Sequence, residues 1–292
     1  MARIRRFAPA NFWRAFLFAL ALASVLRAAP PLPPASGLAQ VNLPDAAETQ
    51  RILAQFRRSG LANNAYVEFE LQALPRRGDE RVYRGKLWTG RNDEGAVYRI
   101  AIIDGDGQEH RLLLQNGNQA AVWRLADGRV TQLGVAALFA PLVPGVEIAA
   151  FDLQMPYLYW PRAEVVSVNR IRGRPAHAFM FRPPPEFAVQ HPGLTAVRSY
   201  FDTQFNAPVQ TELLGPDGLP TKSLSLVELK KIGEQYMPKS LDVRNEATRD
   251  KTRFLVTGIA LNLDFAPALF APAALVDDIR PPAAGKIVRI DP

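Results

Sequence analysis

Hydrophobic and polar positions alternate strictly in AYVEFELQAL (65–74). Val67, Phe69 and Leu71 fall on one face, and Glu68, Glu70 and Gln72 on the other. A period of two marks a half-buried strand. The rhythm continues through RVYRGKLWTG, GAVYRIAII, EHRLLLQNG and QAAVWRL, punctuated by GRNDEG, DGDGQ, NGN and ADGR. Asn-Gly and Asp-Gly pairs favour tight hairpins, so these strands form an antiparallel meander in which sequence neighbours pair. Just upstream the period changes. In PDAAETQRILAQFRRSG (44–60) the apolar residues Ile52, Leu53 and Phe56 share a helical face. Asp45 with Glu48 three residues on reads as a capping box, Arg57 and Arg58 suit the C-terminal end, and Gly60 suits a stop.

Residues 134–161, GVAALFAPLVPGVEIAAFDLQMPYLYWP, are mostly apolar and carry prolines at 141, 144, 156 and 161. Proline cannot sit inside a helix without breaking its ladder, so one or two short helices are expected there. Strands resume with EVVSVNRIRG, RPAHAFMFRP, TAVRSYFD, PVQTELL, PTKSLSLVELKKI, KSLDVRNEAT and KTRFLVTGIALNL. A helical insert between two runs of strands covers one face of a sheet. The pattern therefore predicts a mainly β fold with a few helices, built on about ten to twelve antiparallel strands, a number that curls or closes rather than lying flat. The expected domain spans residues 44–272, with 273–292 as a loosely held tail. No repeat is evident.

The N-terminus is a separate object. MARIRRFAPANFWR is basic, Ala15–Leu26 is an apolar run of 12 residues, and RAAPPLPPASG follows. Basic region, apolar region and small residues in that order read as a secretory signal over 1–28, cut after Ala23 or Ala28, with a Pro-rich linker over 29–43. This places the protein in a periplasm; an uncleaved signal would instead anchor it to the inner membrane. Removing the five arginines of residues 1–28 lowers the formal charge from +7 to +2. With that charge and no basic run with interleaved aromatics, nothing points to nucleic acid. Cysteine is absent, so the core must hold without disulfides.

Catalytic and metal signals are weak. His110, His177 and His191 have no second ligand at helical or strand spacing. DGDGQE (104–109) opens like a calcium loop but lacks the closing glutamate, and reads as a hairpin turn. Paired acids such as Asp93/Glu94 and Asp277/Asp278 fall in turns or the tail. GxSxG, Walker and HExxH motifs are missing. A triad dispersed along the chain is not visible from spacing. No cofactor is implied and the chain reads as no enzyme. The stronger signal is aromatic: Trp88, Tyr98, Trp123, Tyr157, Tyr159 and Trp160 are consistent with a packed core or with an apolar cavity between a curved sheet and its cover.

The order YFD (200–202), Pro208, TELLGPDGLPTKSL, KKI, YMPKSLDVRN and KTRFLV, with FDLQMPYLYWP and Arg-Gly-Arg-Pro-Ala (172–176) upstream, resembles the outer-membrane lipoprotein-sorting family of LolA/LolB-like periplasmic carriers. The resemblance covers roughly 145–270. It implies an incomplete antiparallel β-barrel, or curved sheet, closed by helices around an apolar cavity for acyl chains. It also implies an acyl lipid or lipoprotein as cargo and membrane-bound donor or acceptor proteins as partners. Alternation and the insert place Phe69, Leu71, Tyr98, Ile100, Leu112, Trp123, Phe151, Met155, Tyr157 and Trp160 on the cavity wall. The competing expectation is an envelope-stress sensor or structural protein-binding module on the same fold.

Overall fold

A computed structural model describes residues 42–58, 64–233 and 235–291. The expected signal, most of the Pro-rich linker and Gly60 lie outside the described residues. Leu38–Pro292 form one compact unit. Helix α1 (Ala46–Arg58) appears where the helical period predicts it, and Asp45 caps it, its Oδ1 accepting the Glu48 N–H at 2.7 Å. Its apolar face is buried through Ile52 and Leu53, and Phe56 meets Phe201 edge-on with ring centroids 5.5 Å apart.

The first meander is β1 (Asn64–Leu74), β2 (Arg81–Asn92), β3 (Gly95–Ile103), β4 (Glu109–Gln115), β5 (Ala121–Ala126) and β6 (Arg129–Gln132). The second is β7 (Arg162–Ile171), β8 (Arg174–Arg182), β9 (Ala196–Asp202), β10 (Ala207–Leu214), β11 (Pro220–Ile232), β12 (Gln235–Asn245) and β13 (Lys251–Leu263). They join along β1 and β13, giving one antiparallel, curved sheet ordered β6-β5-β4-β3-β2-β1-β13-β12-β11-β10-β9-β8-β7. A two-residue strand, β14 (Val288–Arg289), adds to β13. The sheet has 14 strands, more than the sequence pattern predicts. The two additions are β6, hidden behind the ADGR turn, and β14, inside the expected tail. Strands β6 and β7 are edges, so the barrel is incomplete, and residues 133–161 run from one edge to the other.

Period-two alternation separates the faces. Ile259, Val67, Leu87, Ile100 and Leu112 form one cross-strand row on the concave side. They belong to the main core together with the cover. The Phe69 ring lies over Gly85, where a Cβ would sit 2.2 Å from it, so glycine is required by close approach rather than by backbone angle. The convex side splits in two. Over β8–β13 it is charged, with Arg174 on Asp202, Arg198 on Glu212 and Arg253 on Asp242. Over β1–β5 it mixes charged side chains with an apolar patch of Tyr66, Trp88, Val97 and Leu113, and the C-terminal segment roofs that patch.

That roof corrects the expectation of a loosely held tail. Leu275 is fully buried against Val97 and Leu113, and Phe265, Phe270, Ile279 and Ile287 pack around Tyr66 and Trp88. Arg99 is buried and donates to the carbonyls of Leu269, Ala274 and Asp277. Arg111 reaches the carbonyls of Val276 and Asp277 and the carboxylate of Asp278. Beyond β14, Ile290 enters the main core.

Candidate ligand-binding interior

The concave face is covered by short elements rather than by a second sheet. They are a 3-10 turn (Val135–Phe139), helix α2 (Ala150–Gln154), a second 3-10 turn (Pro156–Tyr159) and helix α3 (Pro185–Gln190), flanked by α1. The prolines keep each piece short. Met155, at a left-handed φ of 50°, ends α2 and redirects the chain into the next turn. Helix α3 lies within PPPEFAVQ, a stretch with too little length for a clear helical period.

Aromatic side chains from cover and sheet interlock. Phe139 stacks on Phe151 at 4.5 Å, Trp160 meets Phe187 at 5.1 Å, and Tyr157 meets Phe181 at 5.4 Å. Deeper in, Phe179 contacts Phe201 at 4.6 Å and Phe69 stacks on Phe254 at 4.5 Å. Such pairs add about 0.5–1.5 kcal/mol each beyond the area they bury.

Polar links bind the cover to strands on both sides. On the first meander, Tyr83 donates to the Pro144 carbonyl at 2.8 Å, and Gln154 donates to the carbonyls of Gln115 and Ala121 at 2.9 and 3.1 Å. On the second, Lys222 reaches Asp152 at 2.9 Å, and the Glu147 N–H reaches the Thr252 hydroxyl at 2.7 Å. Helix α1 joins through Arg57, whose Nε donates to the Leu158 carbonyl at 2.8 Å and whose guanidinium lies 5.1 Å from the Tyr159 ring. Burial, opposed by Tyr159, pulls the Arg57 pKa down. Burial pushes the phenols of Tyr98 and Tyr157 up, so both stay neutral.

The structure brings nine of the ten expected wall residues to one cluster: Phe69, Leu71, Ile100, Leu112, Phe151, Tyr157 and Trp160 in its buried part, and Tyr98 and Met155 at its margin. Trp123 is a correction. It pairs with Leu113 and lies on the convex side beneath the C-terminal segment, because alternation on β5 turns Val122 inward instead. Sequence reasoning missed the aromatics of the second meander, Phe179, Phe181, Phe201 and Phe254. Alternation in HAFMF (177–181) was the available signal.

The deep part of the interior is filled by side chains: Phe69, Leu71, Phe151, Phe179 and Phe201 are each 2% exposed or less. The two hollows that stand out lie elsewhere: a groove of about 560 Å³ along the outer side of α1 and a polar one of about 380 Å³ between Lys86, Arg99 and Asp277 on the convex side. Among the described residues no three His, Cys, Asp or Glu side chains gather as a metal site. His110 pairs with Asp104 at 2.7 Å in the DGDGQE hairpin, and His191 stacks on Phe139 at 3.8 Å. Burial lowers the pKa of His177 and His191, keeping them neutral.

No family model matches the chain, and no curated protein matches it. Solved structures do. A domain from Vibrio parahaemolyticus, described as an outer membrane lipoprotein-sorting protein, superposes with a TM-score of 0.67 at 15% identity, over 80% of this chain and 100% of its own. A DUF1329 family protein from Desulfovibrio piger gives 0.64 at 11% identity, over 77% and 96%. A LolA superfamily protein from Nitrosomonas europaea gives 0.60 at 12% identity, over 76% and 97%. At these identities the likeness shows the fold, and in the fold the LolA-like resemblance read from residues 145–270 is borne out.

Proposed function

We propose that this protein is an exported binding protein that takes acyl chains of lipids or lipoproteins into its apolar interior and acts in outer-membrane lipoprotein sorting. The observation that carries the reading is the interior itself: the concave face of an open sheet, apolar along whole cross-strand rows, closed by short proline-bounded pieces. The carrier-type fold of the structural neighbours supports it.

The filled interior defines how binding proceeds. An acyl chain gains about 0.8 kcal/mol per buried methylene, or roughly 11 kcal/mol for 14 of them. Loading must first separate side chains that already pack on one another, and that loss is subtracted. Net affinity is then moderate, and cargo release is assisted because the emptied protein regains its own contacts.

The filled interior also favours a second reading, a protein-binding module that uses this fold without cargo. Native mass spectrometry of the protein purified from a bacterial periplasm without detergent separates the two. A single acyl lipid per chain, or uptake of added acylated peptide, supports the carrier. A bare chain that takes up neither acyl lipid nor acylated peptide sinks it. The mass also reports whether the signal has been removed.

A further inference from the structure

Strands β11 and β12 outrun their neighbours. β11 pairs with β10 only as far as Ser225, and β12 pairs with β13 only from Ser240 onward. Beside β13, the place that β12 leaves is taken by β14 at Gly258 and Ile259. Residues 226–233 and 235–239 therefore form a two-stranded ribbon with no third strand on either side among the described residues. Such a ribbon is marginal alone, and here three contacts hold it. Ile232 and Met237 belong to the main core, Lys239 pairs with Glu228 at 3.2 Å, and Arg172 donates to the carbonyls of Leu226 and Val227. Pro238 is tolerated because no strand lies along its outer side.

The cross-strand pairs Leu229–Pro238 and Lys231–Tyr236 put these four side chains on one face of the ribbon. Leu229 is 46% exposed and Tyr236 is 64% exposed. Lys231 is exposed on that same face, while Lys230, paired with Met237, is exposed on the other. The β7–β8 turn continues this surface. It carries exposed Arg170 and Arg172, and Arg174 ties it to Asp202 and lies over Phe205, itself 55% exposed, in the β9–β10 turn. Asp202 and Glu228 are each occupied by a cation.

We propose that this end of the sheet, with the β11–β12 tip as its leading element, docks on an anionic lipid surface. Apolar side chains on separate turns, interspersed with arginine and lysine, suit a headgroup layer, which accepts aromatic and aliphatic tips while its charge draws the cations. A protein interface would favour one continuous apolar patch. The inference goes beyond acyl-chain binding and stands without it.

The test uses the compact unit starting at residue 38, so that the N-terminal apolar run contributes nothing. The sheet and all its apolar clusters lie within it. It is sedimented with vesicles of phosphatidylglycerol and phosphatidylcholine, and with phosphatidylcholine alone. Binding is expected with the anionic vesicles and is expected to fall as salt rises. Lys231→Glu and the double variant Leu229→Ser/Tyr236→Ser should each weaken it about fivefold or more, the former because one cation at the surface is worth about that factor. All three positions are exposed, so thermal unfolding should stay unchanged. Equal binding by the variants, or no preference for anionic vesicles, overturns the proposal. A chain that ignores both vesicles does so too, and leaves the tip to a protein partner. Acyl-lipid uptake is measured on the same samples: docking without uptake removes the carrier reading alone, and uptake without docking removes this one alone.

Discussion

Asp152 in the cover and Lys222 on β11 meet at 2.9 Å, with Asp152 fully buried and Lys222 nearly so. The same carboxylate oxygen accepts the Ala149 N–H at 2.8 Å, so one side chain both starts α2 and fixes it to the wall. Removing one partner of a buried pair leaves the other uncompensated. Asp152→Ala should destabilise the protein by about 3 kcal/mol, at the lower end for buried pairs because Lys222 retains some solvent. It should also loosen the cover and speed acyl-lipid uptake. Urea unfolding and a stopped-flow uptake trace check both. A loss under about 1 kcal/mol, within the range of an exposed pair, would mean that the link does not hold the cover.

Acid should act on this pair in the opposite sense to the convex-face pairs. Burial pushes the Asp152 carboxyl above the ordinary range, despite Lys222 and the Ala149 N–H. For Asp202, burial is outweighed by Arg174 and by the N–H groups of Gln204 and Phe205, and the carboxyl is held low. A raised carboxyl contributes stability below its unfolded value, about 3.9, and loses it as pH rises through the folded value. A depressed one contributes above about 3.9 and loses it as pH falls through the folded value. The stability gap between the parent and Asp152→Asn should therefore widen from neutral pH towards pH ~4, while the gap for Asp202→Asn should shrink below pH ~4. Chemical unfolding across that range reads both, and slopes of the same sign would refute the assignment.

Arg99 organises the C-terminal roof. Its guanidinium serves the carbonyls of Leu269, Ala274 and Asp277, and burial lowers its pKa, opposed by Asp277 and neighbouring acids. Arg99→Ala should strip three partly buried carbonyls of their donor, cost about 2 kcal/mol, and open the segment after Asp264 to protease. Arg289→Ala, at an exposed pair with Glu68, should cost well under 1 kcal/mol. A roof that stays resistant in Arg99→Ala would show that Leu275 and Phe270 hold it unaided.

The same roof shows where sequence reading stops. Strands with clean alternation, such as β1 with Val67, Phe69 and Leu71, were legible because one face is core and the other is polar. The short helix at Asp45 was legible because its cap is local. The C-terminal segment is rich in alanine and proline and shows no strand or helix period, and it is held in part by arginines on β3 and β4 that donate to main-chain carbonyls. Carbonyls are present at every residue, so no side-chain pattern in 264–291 announces the contact. Trp123 failed for a related reason. Tryptophan suits either face of a sheet when both are covered, and only the convex roof, invisible in the sequence, makes the outward face apolar.

Tyr98 and Trp123 provide a matched test of the binding interior. Both are half-buried aromatics on the first meander, and they lie on opposite faces, Tyr98 at the margin of the main core and Trp123 under the C-terminal segment. Each substitution by alanine removes a partly buried ring and should cost about 2 kcal/mol, less than for a fully buried one. Stability therefore does not distinguish them, and ligand uptake should. Tyr98→Ala opens space beside the concave rows and should change the amount of bound acyl lipid severalfold. Trp123→Ala acts only on the convex side and should leave it unchanged. Native mass spectrometry of both variants against the parent gives the comparison at equal stability loss. Equal retention in the two would remove Tyr98 from the binding surface, and a selective loss in Trp123→Ala would move the site to the other face of the sheet.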